Sequence, residues 1–285
     1  MKYIMKKLLI INTYPCHYEI IETVIINYYK ILEIDKTIPI KIYLYILYDE
    51  SFIIYINNKY SNIEFKNIDN YDYYINCTIY DKNYEYIDKQ KLNKKYISHE
   101  ITDRLKKNPN VYFLTPLSNS NFFYANILPF SNNKILSTIP IYIIQGNLNQ
   151  NRRNLSLLTK ILDKNYKYKF IIKLIGRGHL PESLLKYKNK IILKNNLNFI
   201  DYHKEFLDGY CILPLITKKS HPQYYTTKLT STINYAYAYK LKCLIDKDLQ
   251  NIYNLDNVEI FNDINDIQSI FEKSLEHFYN KKFKL

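Results

Sequence analysis

Residues 140–178 read PIYIIQGNLNQNRRNLSLLTKILDKNYKYKFIIKLIGRG. The apolar run Ile141 to Gln145 predicts a strand closed by Gly146, Arg153 to Asp163 carries apolar residues at helical spacing, and Phe170 to Ile175 predicts a second strand closed by Gly176-Arg177-Gly178. Short apolar strands joined by a helix are the unit of a parallel sheet covered on both faces. All four glycines of the chain, Gly146, Gly176, Gly178 and Gly209, fall in this half, and three close or follow apolar runs. Three of the four arginines, Arg152, Arg153 and Arg177, stand just behind two of those glycines. Glycine at a strand end with a guanidinium beside it lets an α/β fold bring backbone and positive charge up to a phosphate.

The same alternation continues toward the C-terminus. Pro181 to Leu185 predicts a helix start, Ile191 to Leu193 a strand, Tyr202 to Leu207 a short helix, Tyr210 to Leu215 a strand and Lys228 to Lys240 a helix. Strands at Cys243 to Asp246 and Val258 to Phe261 and a closing helix at Asp263 to Tyr279 complete a Rossmann-like half. Toward the N-terminus, Lys7 to Asn12 predicts a strand, and Glu19 to Leu32 a helix with Ile20, Val24, Tyr28 and Ile31 on one face. Runs at Ile40 to Leu47, Ser51 to Ile56, Ile63 to Phe65, Tyr73 to Tyr80 and Val111 to Leu114 predict strands, and His99 to Lys106 a short helix. Helix periodicity is poor between residues 50 and 95, which predicts few crossover helices there. A polar segment around Ser131 to Lys134 reads as a linker, giving domains 1–134 and 135–285.

The 285 residues are 47% hydrophobic, enough for two cores and unlike a disordered chain. Lys, Asn, Ile and Tyr dominate, as an AT-rich genome of the protist or large-virus kind would give. The formal charge of +13 suits nucleic acid, an anionic membrane surface or an anionic small substrate, but the lysines are spread without a block of like charge. No apolar run approaches the about 20 residues a membrane helix needs, and the core Leu8 to Ile11 is too short for a signal peptide. Cys16, Cys77, Cys211 and Cys243 share no metal-ligand spacing, so reduced thiols in a cytoplasmic protein are expected, with peripheral membrane contact left open.

Candidate chemistry collects where ligands bind in open α/β sheets, beyond the carboxyl ends of the strands. Gly146 is trailed by Asn147, Asn149, Gln150, Arg152, Arg153 and Asn154. Gly176-Arg177-Gly178 lacks the third glycine of a dinucleotide fingerprint, so a nicotinamide cofactor is not supported. Between Pro214 and Asp246 a loop carries His221, Tyr224 and Tyr225, and Thr226 or Thr227 is placed to cap a helix that opens at Lys228 and runs through Thr230 and Ser231. A diphosphate fits such an amino terminus, as does the plain alternative of a capped helix with a solvated lysine.

The order Gln145-Gly146…Arg153-Asn154, Leu174-Ile175-Gly176-Arg177-Gly178, Tyr202…Glu205-Phe206…Asp208…Ile212-Leu213-Pro214-Leu215, then Lys228…Ser231…Ile233…Ala236…Ala238…Leu244-Ile245 resembles the nucleotide-sugar-binding domain of GT-B glycosyltransferases. The resemblance covers about half the chain. It implies two Rossmann-like domains whose parallel sheets face a cleft, with the closing helix free to pack back on the first domain. It implies that Arg153, with Arg152 as the alternative, and Lys228 hold the diphosphate of a nucleoside diphosphate sugar. It places the segment before Tyr202 at the nucleobase, lines the cleft with Gly176 to Gly178, and leaves His221 either to the donor sugar or to its own loop. Thr227, Thr230 and Ser231 join the donor set. The family's spaced pair of glutamates is missing, since no Glu occurs between Glu205 and Glu259.

The N-terminal half is then expected to bind a glycan or glycoconjugate acceptor. Its β-loop-α turn holds His17 and Glu19 as acid/base candidates, with packing and capping as their plain alternatives. His99-Glu100 reads as a weaker pair on a surface helix. Asp246-Lys247-Asp248 matches a D-x-D metal motif, but it follows a late strand and reads better as a polar turn, so no cofactor and no obligatory metal is expected. Glycosyl transfer from a nucleotide sugar is the leading reading. A basic nucleic-acid-binding protein and an epimerase on the same scaffold are the alternatives.

Overall fold

The computed structural model describes residues 5–14, 17–47, 49–87, 91, 93–115, 117, 129–149 and 152–282; Cys16 and Gln150 of the readings above lie outside them. The chain divides into two compact units, Met1–Leu128 with Thr227–Leu229, and Pro129–Thr226 with Thr230–Leu285.

The first unit runs β1 (Lys6–Asn12), α1 (Tyr18–Leu32), β2 (Ile40–Ile46), α2 (Glu50–Lys59), β3 (Ile63–Phe65), β4 (Tyr73–Asn76), β5 (Lys94–Ser98), α3 (Asp103–Lys106) and β6 (Val111–Phe113), with a 3-10 turn at Asp81–Tyr86. Its strands form one sheet in the order β3-β2-β1-β4-β5-β6, and every pair is parallel. Leu8, Leu9 and Ile10 of β1 are buried one after another, as a strand covered on both faces requires.

Ser51 to Ile56, expected as a strand, lies inside α2. Asp49 decides it: its carboxylate accepts the Phe52 N–H at 3.0 Å as an N-cap, and the helix then buries Phe52 and Ile56, one turn apart, on one face. The helix expected over His99 to Lys106 begins only at Asp103, capped by Thr102. Ser98, whose hydroxyl reaches Ile79 O at 3.1 Å and Glu100 O at 2.9 Å, keeps the preceding residues extended. The sequence reading missed β5, whose first residues are lysines. Lys95 is nonetheless buried, its ammonium 5.5 Å from the Tyr112 ring centroid and 3.9 Å from Glu33.

The second unit runs β7 (Ile141–Asn147), α4 (Leu155–Asp163), β8 (Ile171–Arg177), β9 (Ile191–Asn195), α5 (Phe199–Lys204), β10 (Cys211–Ile212), α6 (Gln223–Thr226), α7 (Ser231–Ala238), β11 (Lys242–Asp246), α8 (Lys247–Tyr253), β12 (Val258–Phe261) and α9 (Ile267–Lys282), with a 3-10 turn at Glu182–Tyr187. The sheet order is β12-β11-β10-β7-β8-β9, again parallel throughout. Tyr142 of β7 anchors one face, its ring 4.3 Å from Phe271 of α9 and its hydroxyl 3.1 Å from Ser274 Oγ. Cys77, Cys211 and Cys243 are buried free thiols, and burial pushes each of them up.

A buried ion cluster ties β11 and β12 to α9. Glu259, 7% exposed, accepts from Lys242 Nζ and His277 Nδ1, each at 2.6 Å. Burial alone would push its carboxyl up, but these two bonds outweigh it and hold it below the usual range. A carboxyl depressed in the fold contributes stability that is present above its unfolded value near pH 4.3 and is lost as pH falls through the folded value. Glu259→Gln is therefore expected to cost about 2 kcal/mol at pH 7, the value of bonds to a charged group, and less at pH 3. Melting temperatures of the two proteins across pH 3–7 check it, and parallel curves would remove the assignment.

Candidate functional site

In both sheets the crossovers run in opposite directions from one central strand, and the gap between the diverging loops is where such sheets bind ligands. In the first unit that point lies between the carboxyl ends of β1 and β4, and in the second between those of β7 and β10.

At the second of these points Gly146 and Gly176 are register partners at the ends of β7 and β8, both in the positive-φ region at 104° and 148°. A Cβ on Gly176 would stand 1.9 Å from the Gly146 carbonyl oxygen, so this backbone approach exists only with glycine. Beneath the Gly146 turn lies the Arg153 guanidinium, close enough that a Cβ on Gly146 would come within 2.6 Å of Nη2. Arg153 is 6% exposed. It donates from Nη1 to Arg152 O at 2.7 Å and from Nη2 to Gln145 O. Burial pulls its pKa down, and the hydroxyls of Tyr224 and Tyr202 oppose that. Among the described residues no carboxylate pairs with it, and its Nε has no hydrogen-bond partner. Arg152 and Arg177, by contrast, are exposed.

Gln145 knits the elements around this turn. Its Oε1 accepts from Tyr202 OH of α5 at 2.8 Å, and its Nε2 donates to Ser231 Oγ at 3.1 Å and Thr232 Oγ1 at 2.9 Å on α7. These directions leave Ser231, already accepting from Gln145, with its own O–H to donate at the first residue of α7. Thr230 holds the N-cap position with no side-chain cap bond. His221 is 3% exposed and packs within its own loop, Nδ1 at 2.8 Å from Ser220 Oγ and its ring 6.2 Å from Tyr224.

The helix expected from Lys228 begins three residues later, at Ser231, and neither Thr226 nor Thr227 caps it. The reason is tertiary. Thr227 O accepts from Ile101 N at 2.7 Å, Leu229 N donates to His99 O at 3.0 Å, and Lys228 bridges Glu100 antiparallel, so these three residues bond to the first unit and belong to it. Lys228 Nζ lies 3.3 Å from Glu100 Oε1. Glu100, expected on a surface helix with His99, is instead half-buried in that bridge.

Asp246 caps α8, accepting from Leu249 N at 3.0 Å and from Tyr225 OH, while Asp248 faces Lys218 at 3.7 Å. Burial pushes the Asp246 carboxyl up. Among the described residues no cluster of three or more His, Cys, Asp or Glu is placed to hold a metal, and no helix is long and apolar enough to cross a membrane.

In the first unit His17 is the N-cap of α1 in left-handed backbone, φ 67°, with Nδ1 3.4 Å from Glu19 Oε1. Its ring lies 4.6 Å from that of His99, which follows β5, and Tyr80, after β4, meets His99 edge-on at 5.2 Å. The structure thus joins His17, Glu19 and His99, and it brings Gly146, Arg153, Gly176, Tyr202 and Ser231 together in the second unit. Gln145 and Thr232 escaped the sequence reading as site residues. A lone amide at the end of an apolar strand was their only signal.

Against solved structures the chain aligns over nearly its whole length. HepE from Anabaena, solved with UDP and glucose, is 8% identical over 96% of this chain and 91% of that one, with a TM-score of 0.59. The lipopolysaccharide outer core galactosyltransferase WaaB is 13% identical over 96% and 91%, with a TM-score of 0.53. A glycosyltransferase from Rickettsia africae is 12% identical over 97% and 89%, also at 0.53. The chain has the GT-B glycosyltransferase fold. No protein-family model and no curated sequence matches it. The GT-B likeness therefore rests on architecture: two parallel six-stranded sheets with helices, matched through both units.

Proposed function

We infer that this chain is a glycosyltransferase that moves a sugar from a nucleoside diphosphate sugar to a hydroxyl acceptor. The observation that carries the reading is the buried Arg153 guanidinium beneath the Gly146 turn, at the switch point of the sheet and with no carboxylate among the described residues. A buried cation without an anion is costly, and a bound diphosphate would supply one. Arg153 fixes the turn and contributes charge from below, exposed Arg152 closes on the phosphates, and Ser231 donates its hydroxyl at the amino end of α7. In the transfer step the acceptor oxygen bonds to the anomeric carbon as the bond to the diphosphate breaks, and fixed positive charge stabilises the departing group. His17, whose Nδ1 lies 3.4 Å from Glu19 Oε1, takes the acceptor proton in this reading.

HepE is solved with UDP and with UDP-glucose, which makes uridine compounds the first probes here. UDP at about 100 times its dissociation constant is expected to add about 2.7 kcal/mol, a rise of roughly 5–10 °C in melting temperature. Uridine should add far less. Arg152→Ala should remove most of the UDP increment and leave the uridine increment unchanged. Equal shifts with UDP and uridine, in the wild type or in this variant, would overturn the assignment. Steep loss of RNA binding with salt and no response to any nucleoside diphosphate would favour the nucleic-acid reading.

A further inference from the structure

We propose that Gln145 is a positioning residue for the donor, one that turns the Ser231 hydroxyl toward the diphosphate. The inference rests on the reading of Ser231 as a hydrogen-bond donor to the diphosphate of a nucleotide sugar. Gln145 closes the apolar run of β7 and is 2% exposed. A buried amide adds little stability over an apolar side chain of the same size, because its bonds replace bonds to water. Here those bonds gather around the amino end of α7. Nε2 places both of its N–H groups, on Ser231 Oγ at 3.1 Å and on Thr232 Oγ1 at 2.9 Å, while Oε1 accepts from Tyr202 OH at 2.8 Å. The carbonyl of the same residue accepts from Arg153 Nη2, so one residue holds both the guanidinium beneath the Gly146 turn and the first hydroxyl of α7.

The Ser231 hydroxyl rotates about a single bond, and an N–H seated on its oxygen directs its own O–H away from Gln145. Among the described residues that hydroxyl has no other hydrogen-bond partner, and Ser231 is half-buried where Thr232 is fully buried. The amide is not what holds the helices together. Phe206, just beyond α5, stacks on Tyr235 at 4.7 Å and on Tyr239 at 5.0 Å, and Tyr202 meets Tyr235 at 5.6 Å. Those rings fix α5 against α7, and the Gln145 amide sets the direction of a hydroxyl within that frame.

The test is a pair of double-mutant cycles in the full chain, joining Ser231→Ala to Gln145→Met, which keeps the side-chain length, and to Gln145→Glu. Calorimetric titrations use UDP, ADP and GDP, with uridine as the ligand that lacks a diphosphate. In the wild-type background Ser231→Ala is expected to weaken the bound nucleoside diphosphate about 10-fold or more, the worth of a hydrogen bond to a charged group. Gln145→Met should weaken it about 2- to 10-fold, the cost of fixing a loose side chain on binding, and should shrink the further loss caused by Ser231→Ala. A carboxylate only accepts, so in Gln145→Glu it takes the Ser231 O–H itself, and Ser231→Ala should then cost nothing more. Uridine affinity should show no coupling between the two positions. A Ser231→Ala loss of the same factor in all three backgrounds would overturn the proposal, as would equal weakening of UDP and uridine by Gln145→Met, which would mark the amide as part of the frame. A wild type that binds none of the three diphosphates ends the transferase reading and this proposal together. Diphosphates bound far better than uridine, with strictly additive losses, end the proposal alone.

Discussion

Gly176→Ala is expected to unfold the second unit or to lower its melting temperature by roughly 10 °C or more. The added methyl would lie 1.9 Å from the Gly146 carbonyl oxygen and 2.7 Å from its carbon, and these are backbone atoms of the neighbouring strand, which no rotamer change can move aside. The backbone at φ 148° adds strain of its own for any residue with a Cβ. Overpacking and φ strain together amount to about 3–5 kcal/mol, and each kcal/mol shifts the melting point of a unit this size by roughly 2–4 °C. Gly178→Ala is the control. There the methyl would meet Leu148, Cβ at 3.4 Å and N at 3.9 Å, both ordinary contacts, so φ strain remains without the collision, and a loss under half as large is expected. Circular-dichroism melts of both variants decide the matter. A Gly176→Ala protein melting within a degree of wild type would mean the two strand ends separate freely, and the rigidity of the Gly146 turn would go with them.

His17→Asn is expected to lower transfer about 10²- to 10⁴-fold, the usual worth of a general acid or base, with donor affinity and melting temperature close to wild type. Asparagine is the informative replacement because it tolerates left-handed backbone, so the φ of 67° at this N-cap is kept while the proton acceptor is removed. If the donor docks on the second unit, as proposed, its binding needs no proton transfer, so UDP titration should be unchanged while kcat falls. Unaltered turnover in a well-folded His17→Asn protein would exclude the first β-loop-α turn from the chemistry. A fall in melting temperature parallel to activity would mark His17 as a packing residue.

Much of the architecture was legible because each Rossmann-like half repeats a local signal. The apolar runs at Ile141 and Phe170 lie between turn residues and around a helical period, and they became β7, β8 and α4. Where the signal failed, a single side chain had changed the local balance. Ser51 to Ile56 alternates well enough for a strand, but the Asp49 cap and the one-turn spacing of Phe52 and Ile56 make it a helix. Lys94-Lys95 hides β5, because a lysine whose stem is buried and whose ammonium finds an aromatic ring and a carboxylate looks, in sequence, like a solvated one.

The sequence by itself determined the parallel α/β class, the two halves, and the placement of glycine and arginine at the strand ends of the second half, since backbone freedom and hydrophobic period are local properties that survive without partners. Only the tertiary structure decided which arginine is buried and which is exposed, because Arg152 and Arg153 are adjacent and chemically identical until the Gly146 turn closes over one of them. It also decided that Thr227 to Leu229 leave the expected helix, since their backbone groups find partners at His99 and Ile101, more than a hundred residues away in sequence. Likewise His17 and His99 carry no sequence sign of their contact. They meet because parallel pairing of β1 with β4 and of β4 with β5 brings the ends of those strands together, and strand order is set by long-range burial that no local window contains.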